Sequence, residues 1–298
     1  MILTDPPYFN VVQDEWDNLW KNEEDFLEWL ERLIIEYKRV LKAHGSFYLF
    51  CDTKRSCKVE AIVNKHFNVL QNIRWVKNNG YFQRTSKPKL RNYFHQTESI
   101  IFAEKHVSEY EIDLLRRKVF KPLIQYMNDN LKESGLSKKD IEKLICEATN
   151  KQKTNMFTHY FSDSQFTIPT RIVYEYLQEK TGFFTKTYDE LKKLNAELNA
   201  ELKTILRPFN IEDRQYTDVL FYDVIPSSKE NRHMCEKPVQ MLSDLILTSS
   251  RENETILDCF AGSGAVAEAA LKNKRKFIGC ELDKMWYDRI KDRLKEYE

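Results

Sequence analysis

The chain predicts an α/β fold, an open and mostly parallel sheet interrupted by a helical insertion. Three observations predict it. Strands of buried type alternate with amphipathic helices near the start, the same alternation returns near the end, and Lys121 to Leu206 between them carries helical periodicity without a good strand pattern. The 298 residues suffice for a full core, and 42% hydrophobic with 31% charged residues is the composition of a globular chain, not a disordered one.

Met1–Thr4 is a short apolar run that Asp5, Pro6 and Pro7 stop, so the chain opens on a strand running into a loop that cannot continue a ladder. From Glu23 to Leu41 the residues Phe26, Leu30, Leu33, Ile34, Tyr37 and Leu41 recur at helical spacing; Gly45 then ends the helix and Ser46–Cys51 reads as a buried strand. A helix from about Cys57 to Phe67 and strands over Asn68–Val76 and Glu98–Glu104 complete the first part. The closing part runs helix Lys237–Ser250, strand Thr255–Phe260, a glycine turn, helix Ala265–Asn273, strand Lys276–Glu281 and a final helix. The expected organisation is therefore a first half over 1–120, a helical insertion over 121–206 and a second half over 207–298.

A formal net charge of +1 argues against a uniformly basic protein, so any nucleic-acid surface must be built from local clusters. Six cysteines without a CxxC pair point to neither a zinc site nor a disulfide framework, and a reduced cytoplasm is the expected setting. No apolar run approaches the length of a membrane span, and the start lacks a signal-peptide pattern.

Two segments carry chemistry. In the first, Gly262 and Gly264 let the backbone turn tightly between a strand and a helix whose N-terminus offers free N–H groups, and Glu281, at the end of the next strand, can accept both hydroxyls of a ribose. The turn lacks GxGxxG spacing, which favours an adenosine ligand other than a nicotinamide dinucleotide. In the second, Asp5, Pro6, Pro7 and Tyr8 spell DPPY, followed by Phe9. An exocyclic amine whose lone pair is delocalised into a ring attacks an electrophile only if acceptors draw it toward tetrahedral geometry. The Asp5 carboxylate and the Pro6 carbonyl can each accept one N–H, and Tyr8 can stack on the ring, with Phe9 as an opposite wall. Read alone, the DPPY loop is equally a stiff turn, and the glycine turn has as its lesser alternative a tight turn that binds nothing.

DPPY near the start and FAGSG near the end together resemble the circularly permuted β group of DNA amino-methyltransferases. Arg39–Asp52, His95–Lys105 and Arg232–Ile246 resemble further elements of that family in place. The resemblance implies a Rossmann-like methyltransferase sheet, S-adenosyl-L-methionine as cofactor, and a base flipped out of duplex DNA as substrate. It assigns Asp5, Pro6, Pro7 and Tyr8 to catalysis and Asp258, Phe260, Ala261, Gly262, Ser263, Gly264 and Glu281 to the cofactor, with Lys237 and Pro238 beside the methionine moiety and His233 nearby. Asp rather than Ser before the prolines tips the choice toward adenine N6 over cytosine N4, as a family tendency. Family members ordinarily carry a further segment ahead of the catalytic strand; three expectations stand here, a sheet smaller at that edge, a shortened start, or another chain completing the site.

Two stretches are candidates for contact with DNA. Gln71–Gln96 holds Arg74, Lys77, Arg84, Lys87, Lys89 and Arg91 and no acidic residue, interleaved with aromatics. In the insertion, Leu136–Ile145, Thr154–Phe161 and Gln165–Leu177 resemble a helix-turn-helix, with Ser137 capping the first helix, Thr154 or Asn155 the second, and Pro169 starting the third; Lys151 and Lys153 lie beside the middle helix. Phe157, Phe161, Phe166 and Tyr174 are expected in the core. Leu191, Leu194, Leu198, Leu202 and Ile205 form a short seam expected to pack on its own domain. The leading expectation is a site-specific DNA adenine-N6 methyltransferase, restriction-linked or solitary, with a restriction endonuclease or a second methyltransferase chain as partner; the alternatives are cytosine N4 and a recognition subunit inactive alone.

Overall fold

The computed structural model describes residues 1–10, 19–78, 91, 93, 95–105, 109–211, 217–225, 233 and 235–297. Two compact units emerge, one formed by Met1–His106 with Arg207–Glu298 and one by Val107–Leu206.

The first unit is built on a seven-stranded sheet. Its elements are β1 (Ile2–Thr4), α1 (Glu23–Val40), β2 (Ser46–Cys51), α2 (Ser56–His66), β3 (Asn68–Lys77), β4 (Thr97–Glu104), β5 (Val219–Tyr222), α8 (Val239–Ser249), β6 (Thr255–Asp258), α9 (Ala265–Lys272), β7 (Lys276–Gly279) and α10 (Lys284–Leu294). The strand order is β5-β3-β4-β2-β1-β6-β7. β1 lies between two parallel neighbours, with Ile2 opposite Phe47 on one side and Leu257 on the other. A strand buried on both faces is apolar or has its polar groups paired, which Ile2 and Leu3 satisfy in the first way and Thr4, bonded to Asp258, in the second.

Side-chain alternation along β2 divides the core. Phe47, Leu49 and Cys51 pack with Phe26, Leu30, Ile34 and Tyr37 of α1 and Val59, Ile62 and Val63 of α2. Tyr48 and Phe50 face the other layer, with Met241, Leu242 and Ile246 of α8 and the small residues Ala265, Ala269 and Ala270 of α9. Asn22 starts α1 by accepting the Asp25 N–H at 2.8 Å, followed by an acidic first turn, Glu23 to Asp25.

The sheet is mostly parallel as the sequence predicts, and three details go beyond that reading. β4 runs antiparallel to both β2 and β3, whereas the other pairings in the sheet are parallel. β5, absent from the expected elements, extends the sheet parallel to β3. The helical unit starts at Val107 rather than Lys121, because α3 (Glu109–Ser134) continues through Pro122. Proline there removes one helical hydrogen bond, and burial of Val119, Phe120, Leu123, Ile124 and Met127 in that unit's own core offsets the loss.

In the helical unit, α4 (Lys138–Thr149) begins at Ser137 with a reciprocal capping box to Asp140, and Asn150 ends it in the left-handed region. The short helix α5 (Met156–Phe161) follows Asn155, whose side chain makes no cap hydrogen bond; the Met156 N–H instead donates to Thr154 Oγ1 at 3.1 Å. α6 (Arg171–Thr181) starts two residues beyond Pro169. Phe161, Phe166 and Tyr174 are buried and Phe157 packs against them. Along α7 (Tyr188–Ile205), Leu191 and Leu198 are buried and Leu194 and Leu202 pack on the same core, so the leucine seam serves its own unit.

Candidate active site

Chain order reverses across the middle of the sheet: β1 leads through α1 to β2 on one side, while β6 leads through α9 to β7 on the other. In open α/β sheets the crevice beyond the C-terminal ends of such strands is where ligands bind. The loop Asp5–Tyr8 leaves β1 there, and the glycine turn leaves β6 beside it. Asp258, the last residue of β6, joins them. It is 1% exposed, and its Oδ1 accepts from Thr4 Oγ1 at 2.9 Å and from the Phe260 N–H at 3.0 Å. Burial, opposed by those two donors and reinforced by the negative charges of Asp5 and Glu281, pushes its carboxyl up to about 7.

Asp5 is held at both oxygens. Tyr8 Oη donates to Oδ1 at 2.7 Å and Lys237 Nζ to Oδ2 at 2.6 Å. Lys237, just before α8, is 7% exposed and also pairs with Glu98 of β4 at 3.3 Å; Glu98 in turn holds Lys77 of β3 at 2.5 Å. Two carboxylates thus balance two ammonium groups in a nearly dry pocket, the arrangement that lets buried charge persist. Burial pulls the Lys237 ammonium down, but Asp5 and Glu98 outweigh it and hold the group above its ordinary value. Burial likewise pushes Glu98 up, and Lys237 and Lys77 hold it below. Burial, then the charges of Asp5 and Glu98, raise Tyr8 well above the usual phenol range, so its hydroxyl stays a donor. Pro6 is buried.

In the turn, Gly262 and Gly264 have φ of +48° and +80°, the left-handed region where a side chain is strained. A Cβ at Gly264 would also meet Ile290 at 3.0 Å. The Gly262 N–H donates to Glu281 Oε2 at 2.7 Å and the Asp283 N–H to Oε1 at 2.9 Å, so the acid at the end of β7 reaches back to the turn. The Ala261 N–H donates to the Cys280 carbonyl at 2.9 Å, and Phe260 meets Trp29 of α1 edge to face at 6.0 Å. His233 lies over Gly262, 3.5 Å from where a Cβ would sit, and packs edge to face on Trp286. Burial lowers its imidazole below the ordinary value. Arg293 of α10 donates to the Ser263 carbonyl at 3.0 Å while pairing with Glu236 at 2.9 Å and Glu268 at 2.5 Å, tying the turn to the residue beside Lys237.

Some sequence assignments fall elsewhere. Phe9 stacks on Phe26 of α1 under the Arg55 guanidinium, packing with the core rather than walling a site. Lys77 is committed to Glu98, and Arg74 donates to Ser99 Oγ at 2.5 Å, because both lie on β3 beside β4 rather than in a loop. Arg91 is exposed; Arg84, Lys87 and Lys89 lie outside the described residues. Lys151 and Lys153 are exposed in the helical unit. Glu98, Trp286 and Arg293 were not foreseen. For Glu98 a signal existed, an acid two residues ahead of the buried apolar run Ile100–Ala103, where a carboxylate needs a cation to face it. Among the described residues no group of His, Cys, Asp and Glu is arranged to hold a metal ion.

Comparison with known proteins identifies the family. A DNA methylase family model of the N6/N4 class matches residues 1–292. The type II methyltransferase M2.LlaDCHI of Lactococcus lactis subsp. cremoris is 24% identical over 99% of this chain and 81% of its own length. The DNA adenine methyltransferase YhdJ of Escherichia coli K12 is 24% identical over 95% of this chain and 71% of its own. Among solved structures, the cytosine-N4-specific PvuII DNA methyltransferase superposes with a TM-score of 0.53 at 11% identity, over 98% of this chain and 78% of its own, and M1.HpyAVI in complex with SAM with 0.50 at 18%, over 99% and 87%. The fold is shared, the family match is nearly end to end, and the chain belongs to the N6/N4 DNA methylase family.

Proposed function

We propose that this chain transfers a methyl group from S-adenosylmethionine to N6 of an adenine flipped out of duplex DNA. The observation that carries the reading is the adjacency, at the ends of β1 and β6, of a paired acceptor loop and an adenosine-type turn, joined through Asp258 and Thr4. The adenine choice is supported by the DPPY loop and by the relative named as a DNA adenine methyltransferase.

The residues fit the cofactor. Gly262 and Gly264 keep the turn free of side chains, and the Glu281 carboxylate is within reach of the turn's backbone, where ribose hydroxyls can replace the Gly262 N–H as its donors. Phe260, Ala261 and Ser263 complete that wall, Asp258 anchors it, and His233 covers it. Bound there, S-adenosylmethionine supplies an electrophilic methyl group. Asp5 and the Pro6 carbonyl accept the two N–H bonds of the target amine and draw its lone pair out of conjugation, the two prolines fix that carbonyl, and the Tyr8 ring stacks on the base. Lys237 contributes by fixing the Asp5 carboxylate rather than by reaching the methionine end alone.

Duplex DNA is the proposed partner. Arg91, Lys87, Lys89 and Arg84 of the acid-free stretch and Lys151 and Lys153 of the helical unit are the proposed phosphate contacts, and Val107–Leu206 is the proposed recognition module. A restriction-linked setting accords with relatives named type II methyltransferases, and a cytoplasmic one is part of the same proposal; among the described residues no helix is long and apolar enough to cross a membrane. The test is transfer of label from S-adenosylmethionine to mixed-sequence duplex DNA by the purified chain, followed by nucleoside analysis. N6-methyladenine is expected. N4-methylcytosine overturns the base while keeping the loop chemistry, and absence of product from folded protein overturns the activity of the chain alone.

A further inference from the structure

Both oxygens of Asp5 are already occupied, Oδ1 by the Tyr8 hydroxyl and Oδ2 by the Lys237 ammonium. Each oxygen keeps a second lone pair, so an incoming amine either shares an oxygen with the donor already there or takes that donor's place. Lys237 is poorly suited to leave, since its ammonium is buried and, among the described residues, pairs with Asp5 and Glu98 alone. The Tyr8 hydroxyl is suited to leave, since Glu98 Oε2 lies 3.4 Å from it, at the edge of hydrogen-bond distance, with Lys77 on the other oxygen of the same carboxylate.

We infer that Glu98 is a positioning residue of the transfer reaction: it pins Lys237 against Oδ2 of Asp5 and takes over the Tyr8 hydroxyl when the target amine claims Oδ1. Glu98 is suited to both tasks, because β4 is antiparallel to β2 and its Thr97–Ser99 end lies beside Cys51, the end of β2, with Trp75 of β3 directly opposite Glu98. The carboxylate accepts Lys237 and Lys77 and lies within reach of the Tyr8 hydroxyl, so it draws on three different segments. Tyr8, once turned toward Glu98, keeps its ring in place for stacking and loses only the bond that competed with the substrate. Lys77, which composition alone assigns to phosphate binding, becomes the counter-charge that keeps Glu98 ionised in a buried site.

The inference rests on the transfer reaction proposed above, and the test separates the two. Glu98→Gln, Lys237→Met and the double variant are compared with the wild type in kcat, in S-adenosylmethionine Kd by calorimetry, and in urea unfolding followed by tryptophan fluorescence. Glu98→Gln is expected to lower kcat about tenfold or more with Kd changed by less than about twofold, and the double variant to be no slower than Lys237→Met alone, because residues in one network fail to add. A kcat for Glu98→Gln within twofold of wild type, or losses that multiply in the double variant, overturns the inference. A wild type that binds S-adenosylmethionine yet methylates no DNA overturns the proposed function instead, and the unfolding cycle then judges the pairing: additive unfolding free energies overturn it. If Glu98→Gln does not fold, Glu98→Asp, which keeps the charge on a shorter arm, carries the same comparison.

Discussion

Asp258 offers a prediction that stands on the fold alone. The folded protein holds its carboxyl at about 7 against an ordinary 3.8, with burial the main cause. Between those values the native state keeps a proton that the unfolded chain releases, so this group's contribution is fully present below about pH 4 and is lost as pH rises toward 7. The full span corresponds to about 4 kcal/mol, of which about 2.5 kcal/mol falls between pH 5 and pH 8. Asp258→Asn keeps an oxygen for Thr4 Oγ1 and the Phe260 N–H but has no proton to lose. The wild type should therefore lose about 2.5 kcal/mol relative to the variant when urea unfolding is repeated at pH 5 and pH 8. Comparing the two proteins cancels titration elsewhere, including that of His233. All five tryptophans lie outside Val107–Leu206, so their fluorescence reports the sheet unit by itself. A stability difference that is the same at both pH values would refute the reasoning.

Four further outcomes are expected. Asp5→Ala should lower transfer by about a hundredfold or more while leaving S-adenosylmethionine affinity within about threefold, read by radiolabel assay and calorimetry; equal loss of both would contradict its role. Glu281→Gln should weaken cofactor binding by about tenfold or more, because charge-assisted bonds are the stronger ones, with little change in kcat at saturation. Ser137→Ala removes one half of the capping box at α4 and should cost the helical unit about 1 kcal/mol, seen as an earlier loss of helical circular dichroism in urea while tryptophan fluorescence is unmoved. Replacing Lys151 and Lys153 by Gln should reduce the slope of log affinity against log salt by about 1.8 on duplex DNA; an unchanged slope would take that surface out of contact.

Much of the sheet unit was legible because its signals are local. The Ser46–Cys51 strand and the Glu23 helix are written in hydrophobic spacing within a dozen residues, and both lie where that spacing put them. β5 was not legible: Val219–Tyr222 is four residues with Phe221 exposed, too short to show a period, and pairing with β3 is what makes it a strand. The reversal of β4 was also hidden, since an apolar run such as Ile100–Ala103 reads the same in either direction. At the site, the DPPY loop and the glycine turn were visible as motifs. The ion network was not, because Lys237, Asp5, Glu98 and Lys77 come from separate segments and meet only through strand order. The same cause explains Lys77, which composition groups with its basic neighbours and geometry with an acid across the ladder.

The junctions of the helical unit have a further consequence. The chain leaves the sheet unit after β4 and returns at Arg207, whose guanidinium pairs with Glu104, the last residue of β4, at 2.6 Å and lies over the rings of Phe102 and Phe209. Departure and return are thus stapled at one point, and Val107–Leu206 buries a core of its own. Such a segment behaves as a cartridge. It can be lengthened, replaced or drift in sequence without changing the register of any strand, so in this architecture the reaction chemistry and whatever the helical unit contacts are free to evolve at different rates.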